Sequence, residues 1–326
     1  MDGAMSNFTG NPWQAEHDMM RSHIKATAVT VEPPAERFPL SDHGNAQRFA
    51  AENSGRLRYS FERGSWLACD GKVWRYDNSG APMRAAKRCN RNLIRDASQA
   101  SSDSDRQAML DHARKCEAAT RLKAMVELAR DELPVTFDEL DADPWLLNVQ
   151  NGTLDLRTGK LRDHDATDLI TKLAPVEHDA AATCPTFDRF IRRIFDGDTT
   201  LIAYIQRWLG YCLTGDVREQ IMPVCHGQGA NGKSTLLDMV VWLLGDYASD
   251  APPDLLIQRR GDEHPTELAD LCGKRLIVAS ESEKHRRLKV QLVKRLTGDA
   301  TIKARFMRQD YFSFNRTFKV ALVTNT

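Results

Sequence analysis

Between residues 186 and 213 apolar residues recur at helical spacing: Phe187, Phe190, Ile191, Ile194 and Phe195, then Ile202, Ile205, Trp208, Leu209 and Cys212. This period predicts two packed helices, with the aromatic rings serving as core rather than as a base-stacking platform. The pattern then shortens. Ile221-Met222-Pro223-Val224-Cys225 predicts a strand, a glycine-rich stretch follows, and Leu236, Leu237, Val240, Val241 and Leu244 restore the helical period until Gly245 stops it. Two later runs, 275–279 and 318–323, predict strands, the first nearly continuously apolar, as a parallel strand covered on both faces is. Between them, residues 301–306 and 311–314 alternate with period two around Met307-Arg308-Gln309-Asp310. That alternation predicts a β-hairpin with Arg308 at its tip.

The first half is patterned differently. Residues 1–40 carry no sustained period, contain Glu32-Pro33-Pro34-Ala35-Glu36, and are expected to be a leader or linker. Trp66-Leu67-Ala68-Cys69 and Val73-Trp74-Arg75-Tyr76 flank Asp70-Gly71-Lys72, a hairpin signal. Thr153-Leu154-Asp155-Leu156 and Lys160-Leu161, around Arg157-Thr158-Gly159, form a second. Residues 104–131 predict one charged helix with Met109, Leu110, Leu122, Met125, Val126 and Leu128 as its apolar stripes. The expected architecture is a mixed α+β, largely helical domain over 41–214. An α/β P-loop NTPase core, mainly parallel and AAA-like, would follow over 215–326.

Composition narrows the class. With 326 residues, 41% hydrophobic and 28% charged, the chain can bury a sizeable core. Forty-five Lys and Arg balance forty-five Asp and Glu, so attraction to nucleic acid or membrane must come from a local patch. Seven scattered cysteines without a C-x-x-C pair point to reduced thiols and away from structural zinc. No secretory signal or membrane-length apolar run is visible, so a cytoplasmic location is expected.

The glycine-rich stretch carries the chemistry. Gly227-Gln228-Gly229-Ala230-Asn231-Gly232-Lys233-Ser234-Thr235 satisfies G-x-x-x-x-G-K-[ST] between a predicted strand and a predicted helix. Glycines let consecutive backbone N–H groups converge on one anion, and the helix N-terminus adds partial positive charge. All nine residues are therefore candidates for holding ATP. Lys233 would reach the β- and γ-phosphates, and the Ser234 hydroxyl would ligate Mg²⁺.

The 275–279 run ends at Ser280-Glu281-Ser282-Glu283. An acid at the carboxyl end of a central strand lies beside the phosphate loop, where Glu281 could assist Mg²⁺ or orient water. Glu283 reads either as a second such acid or as a solvated charge. Asn325, after the 318–323 run, reads as a γ-phosphate or water sensor or as an ordinary turn residue. Residues 284–319 hold eleven Lys or Arg against Asp299 and Asp310. Such a run is usually a solvated face, yet beside an ATP site it favours phosphate-backbone contacts, with Lys294, Lys303, Arg305 and Arg308 as candidates.

In combination these segments resemble the superfamily-three helicases, specifically the phage/plasmid primase-helicase family related to poxvirus primase-helicases. The phosphate loop, the Glu281 strand, Lys294-Arg295-Leu296-Thr297-Gly298-Asp299 with its hairpin, and the Asn325 strand match in order. Upstream, Ser41-Asp42-His43-Gly44-Asn45-Ala46 with Arg48-Phe49 looks like the family's opening motif. Trp145-Leu146-Leu147-Asn148 and Asn151-Gly152-Thr153-Leu154-Asp155-Leu156 look like its central motif, and Gly210-Tyr211-Cys212-Leu213-Thr214-Gly215 leads onward. The resemblance implies an ATP-driven helicase of phage or plasmid replication, a homo-hexamer moving on single-stranded DNA at a forked duplex. Two departures stand out: Ser280 where many relatives carry a second acid, and Gly298-Asp299-Ala300 where Gly-Gly-Asp is common. The family's arginine finger would lie past Thr326, so this chain alone is expected to bind ATP and hydrolyse it poorly, and no priming activity is expected. Two rival readings remain: a P-loop small-molecule kinase, and a catalytically weak replication module that binds ATP, DNA or partner subunits.

Overall fold

The computed structural model describes residues 38–227, 229–252, 255–258, 266–280, 287–307 and 310–324. The expected leader 1–40 therefore lies almost wholly outside the described residues. Among the described residues no helix is long and apolar enough to cross a membrane.

The upstream region opens with α1 (Asp42–Asn53), which Ser41 caps by accepting from the Gly44 amide at 3.1 Å. An antiparallel sheet follows, built from β1 (Leu57–Ser60), β2 (Ser65–Cys69) and β3 (Trp74–Tyr76). Cys69 pairs with Trp74, so the first expected hairpin is present, with β1 added outside it. Next comes α2 (Ala81–Ala97), the longest helix among the described residues and one that the apolar pattern did not disclose.

The single charged helix expected over 104–131 is two helices, α3 (Asp103–Cys116) and α4 (Ala119–Leu128). Ala118 breaks them with an extended backbone (φ −60°, ψ 134°), which frees α4 to lay Leu122 and Met125 against Ala46 and Phe49 of α1. The opening motif is structural here. Buried Asn45 donates to Cys116 Sγ (3.1 Å) and its Oδ1 meets His112 Nε2 (2.9 Å), tying α1 to α3. Burial, with cationic neighbours, pushes the His112 pKa down.

A second antiparallel sheet has β4 (Leu146–Val149), β5 (Gly152–Asp155) and β6 (Lys160–Arg162), with Asp155 opposite Lys160 as the second hairpin requires. Asn148 is its hub. The Asn148 side chain donates to Lys72 O at 2.6 Å and accepts from Thr153 Oγ1 at 2.7 Å, while its amide donates to Tyr247 Oη at 3.0 Å. Its side chain, which also meets His164 Nδ1 at 3.1 Å, thus joins Lys72, Thr153 and His164.

Two helices follow as the period predicted, α5 (Pro185–Ile194) and α6 (Thr199–Leu213). Then come β7 (Val224–Cys225), α7 (Lys233–Leu244), β8 (Ala248–Asp250), α8 (Thr266–Ala269), β9 (Leu276–Ser280), α9 (Val290–Gly298), the pair β10 (Thr301–Arg305) and β11 (Tyr311–Asn315), and β12 (Lys319–Val323). A four-stranded, wholly parallel sheet runs β7-β12-β9-β8. Its central strands are buried along nearly their whole length, as continuous apolar runs require. Leu147, Trp208 and Cys212 share one apolar cluster with Leu236, Leu276 and Val323, so packing is continuous across the expected 214/215 boundary.

Three basic residues hold the opposite end of this sheet. Lys319, only 2% exposed, donates to the carbonyls of Thr214 and of Asp216, the latter at 3.2 Å, and lies 4.6 Å from the Tyr211 ring centroid. Arg275 donates to Leu213 O and Leu146 O, and Arg316 Nε donates to Asp299 O at 2.7 Å. Lys319 and Arg275 thereby meet the carbonyls at the end of α6, and Arg316 that at the end of α9. Arg316 and Lys319 were counted in the basic segment expected to face nucleic acid; both are buried and cannot.

Candidate functional site

The strand before the glycine-rich loop is shorter than expected, only Val224–Cys225, and is fastened to β12. Leu322 N donates to Pro223 O at 2.9 Å and Thr324 N to Cys225 O at 3.0 Å. The chain then turns sharply. Gly227 has φ +139°, Ala230 φ +62° and Gly232 φ +86°, a run of conformations that L side chains resist.

Gly232, which has no side chain to offer, is the residue before α7, and Asn231 Oδ1 takes up only the first amide, that of Lys233, at 3.5 Å. The next amides of α7 are thus presented at the mouth of the loop, with Ser234 and Thr235 exposed. Lys233 folds back over the loop, its Nζ donating to Gly227 O at 2.7 Å and Asn231 Oδ1 at 3.0 Å. A cation resting on its own loop's oxygens beside a helix start is an arrangement chemically suited to an anion. Of the nine residues predicted for ATP, eight are gathered here, while Gln228 lies outside the described residues.

The other predicted site residues divide. Glu281 and Asn325 lie outside the described residues, but the strands leading to them are in place. In the strand order β9, which leads to Glu281, is an interior strand one place removed from the phosphate-loop strand. β12 lies between them, so the neighbouring tip is the one leading to Asn325. Sequence gives strands but not their lateral order, which depends on the crossovers. Among the described residues no cluster of three or more His, Cys, Asp or Glu could hold a metal ion. The exposed Ser234 hydroxyl is the described oxygen suited to Mg²⁺ bound together with a nucleotide.

The upstream region builds one wall of the loop. A Cβ added to Gly232 would stand 2.6 Å from Ile194 Cγ2 and 3.5 Å from Phe190 Cε2, both on α5. Cys225, at the loop's entrance, has its thiol pKa raised by burial against the opposing pull of Lys233.

β10 and β11 form the predicted hairpin, with Arg305 opposite Tyr311 and Ala304 opposite Phe312. Ile302, Ala304 and Phe314 face inward, while Lys303, Arg305, Tyr311 and Ser313 face solvent. Tyr311 is 53% exposed, with Lys303 Nζ and the Arg305 guanidinium each 5.1 Å from its ring centroid. Lys294 is exposed on α9, away from this face in sequence, and Arg308 lies outside the described residues. Charge counting missed Tyr311; the signal available was its placement opposite Arg305 in a period-two run.

Two family models match the chain, "D5 N terminal like" over residues 46–196 and a family of unknown function, DUF5906, over 225–326. A protein of Acanthamoeba polyphaga mimivirus named as a putative helicase is 30% identical over 210 residues, covering 63% of this chain. The chain spans only 22% of that relative's length. The solved apo structure of the NrS-1 C terminal region is similar in fold, with a TM-score of 0.50 at 10% identity, over 86% of this chain and 57% of that one.

Proposed function

We propose that the chain is the nucleotide-driven motor part of a DNA helicase of phage or plasmid replication, related to the superfamily-three helicases. The observation that carries this reading is the start of α7, placed by a loop of left-handed residues at the carboxyl edge of a parallel sheet, with Lys233 turned into the loop. A nucleoside triphosphate, ATP by preference, sets its phosphates against the α7 amides, and Lys233 exchanges its carbonyl partners for phosphate oxygens. Ser234 contributes an oxygen to Mg²⁺, which neutralises charge on the phosphates when bound. Glu281 and Asn325 are the candidates for orienting water at the tips of β9 and β12.

The hairpin supplies the nucleic-acid face. Lys303 and Arg305 offer phosphate contacts and Tyr311 offers a ring on which a base can stack, a sequence-tolerant combination suited to single-stranded DNA. Lys294 and Arg308 are further candidates for phosphate contacts. A homo-hexameric ring would place six such hairpins around one strand. The mimivirus relative's name supports the helicase reading, and the rival small-molecule kinase leaves the basic hairpin without a role.

Reciprocal linkage tests the proposal. Affinity for a labelled oligothymidylate is measured with and without Mg²⁺ and a non-hydrolysable ATP analogue, and the analogue's affinity with and without DNA. A motor gives a coupling of equal size in both directions. Tight analogue binding with no DNA affinity at low salt would reject the motor and favour the kinase.

A further inference from the structure

The inner face of the β10–β11 hairpin runs to the edge of the core beneath it. Ile302, Ala304 and Phe314 are buried in the cluster shared with α8, α9 and the parallel sheet. Phe306 and Phe312, on the same face nearer the tip, pack against the edge of that cluster and are only partly buried. They are covered from upstream. Phe306 and Phe312 stack with ring centroids 4.7 Å apart and planes 8° from parallel. Phe137 stacks on Phe312 at 5.3 Å and 19°. On the other side the Arg63 guanidinium lies 3.8 Å from the Phe306 centroid and 4.5 Å from that of Tyr76.

A continuous column, Tyr76, Arg63, Phe306, Phe312, Phe137, therefore joins the two regions. Its upstream members come from the turn between β1 and β2, the end of β3 and the segment after α4. Open clefts of about 690 Å³ and 630 Å³ lie beside it, and Arg63, Phe137 and Phe306 line both. Beyond its packing on the cluster edge, the tip-ward end of the hairpin is thus oriented by directional ring contacts between two open spaces. Ring stacking and cation–π contacts fix orientation, because they weaken when the planes tilt or the cation leaves the ring face.

We propose that Arg63 and Phe137 are positioning residues of the nucleic-acid site: they hold the tip-ward end of the hairpin so that Lys303, Arg305 and Tyr311 present one face to a strand. This rests on the reading of the hairpin as the DNA element. Neither residue touches DNA. The upstream region then sets the angle of the DNA-reading element, and removing the column loosens DNA binding while leaving the nucleotide loop intact.

The test uses the full chain, a labelled oligothymidylate, and a fluorescent ATP analogue as control. Arg63→Ala and Phe137→Ala are each expected to weaken DNA binding about fivefold to tenfold, the scale of one or two ring contacts. Nucleotide affinity stays unchanged. Arg63→Lys, which keeps a cation over the ring, recovers most of the loss. Because a positioning residue neutralises no phosphate, the slope of log affinity against log salt stays at the wild-type value in Arg63→Ala; a direct phosphate contact would lower it by about one. Phe137→Leu keeps apolar bulk without the stacking plane, and is expected to lose DNA affinity even if the alanine variant folds poorly. Wild-type DNA affinity in Arg63→Ala and Phe137→Leu overturns the proposal, as does a reduced salt slope in Arg63→Ala. The double variant Lys303→Ala, Arg305→Ala separates the two readings. If it too binds DNA like wild type, the hairpin is not the DNA element and this inference falls with that reading.

Discussion

A Cβ on Gly232 would stand 2.6 Å from Ile194 Cγ2, closer than nonbonded carbons approach, and φ there is +86°. A side chain at position 232 is therefore resisted twice, by backbone strain and by a helix of the upstream region. Gly232→Ala is expected to destabilise the fold by about 1–3 kcal/mol and to distort the helix start. Chemical denaturation with a parallel ATP-binding titration checks this, and unchanged values in both would contradict the account.

The solvent face of the hairpin leads to a second prediction. Tyr311→Ala is expected to weaken single-stranded DNA binding by about 1–3 kcal/mol with little change in salt slope, since a stacked ring neutralises no phosphate. Lys303→Ala or Arg305→Ala is expected to lower that slope by about one each. Anisotropy titrations at several salt concentrations separate the two kinds of contact.

Burial pushes the Lys319 pKa down to about 7 from the ordinary lysine value of 10.5. Between those values the unfolded chain binds the extra proton, so stability from this group rises with pH above 7 and levels off toward 10.5; below 7 its contribution is constant. From pH 7 to 9 the gain is on the order of 2 kcal/mol. Denaturation midpoints across that window should rise more steeply in the wild type than in Lys319→Met. Parallel curves would place the charge of Lys319 elsewhere.

Asn148 joins Lys72, Thr153 and Tyr247 through three separate hydrogen bonds. Asn148→Ala keeps the backbone bond to Tyr247 and removes the partner of the Thr153 hydroxyl, the Lys72 carbonyl and His164 Nδ1. A loss of about 2–4 kcal/mol is expected, read by urea denaturation. Nucleotide affinity at a temperature where the variant remains folded should not move, because the hub lies in the β4–β5 sheet and touches no residue of the loop.

Much of this was legible from residue order. The glycine-rich loop, α5 and α6, the three hairpins and the central strands β9 and β12 each announce themselves through a local period or turn. Position in space does not. Arg316 and Lys319 look like Lys303 in a count of charges, yet they begin or precede a buried strand and are used up on the carbonyls of Thr214, Asp216 and Asp299. The column through Arg63 and Phe137 joins residues more than 160 positions apart from Phe306, with nothing local to mark it. The α3–α4 break at Ala118 is equally silent, because alanine favours helix and only the packing of Leu122 and Met125 on α1 opposes it.

The central claim is that the loop from Gly227 to Thr235 holds the phosphates of a nucleoside triphosphate through Lys233 and the start of α7. The most direct test is equilibrium binding of ATP with Mg²⁺ to the wild type and to Lys233→Ala, with the fold of each checked by thermal melting. The account predicts saturable binding to the wild type and a loss of at least about tenfold in Lys233→Ala at an unchanged melting temperature. Equal affinity in the two proteins, or no binding by a folded wild type, would contradict it.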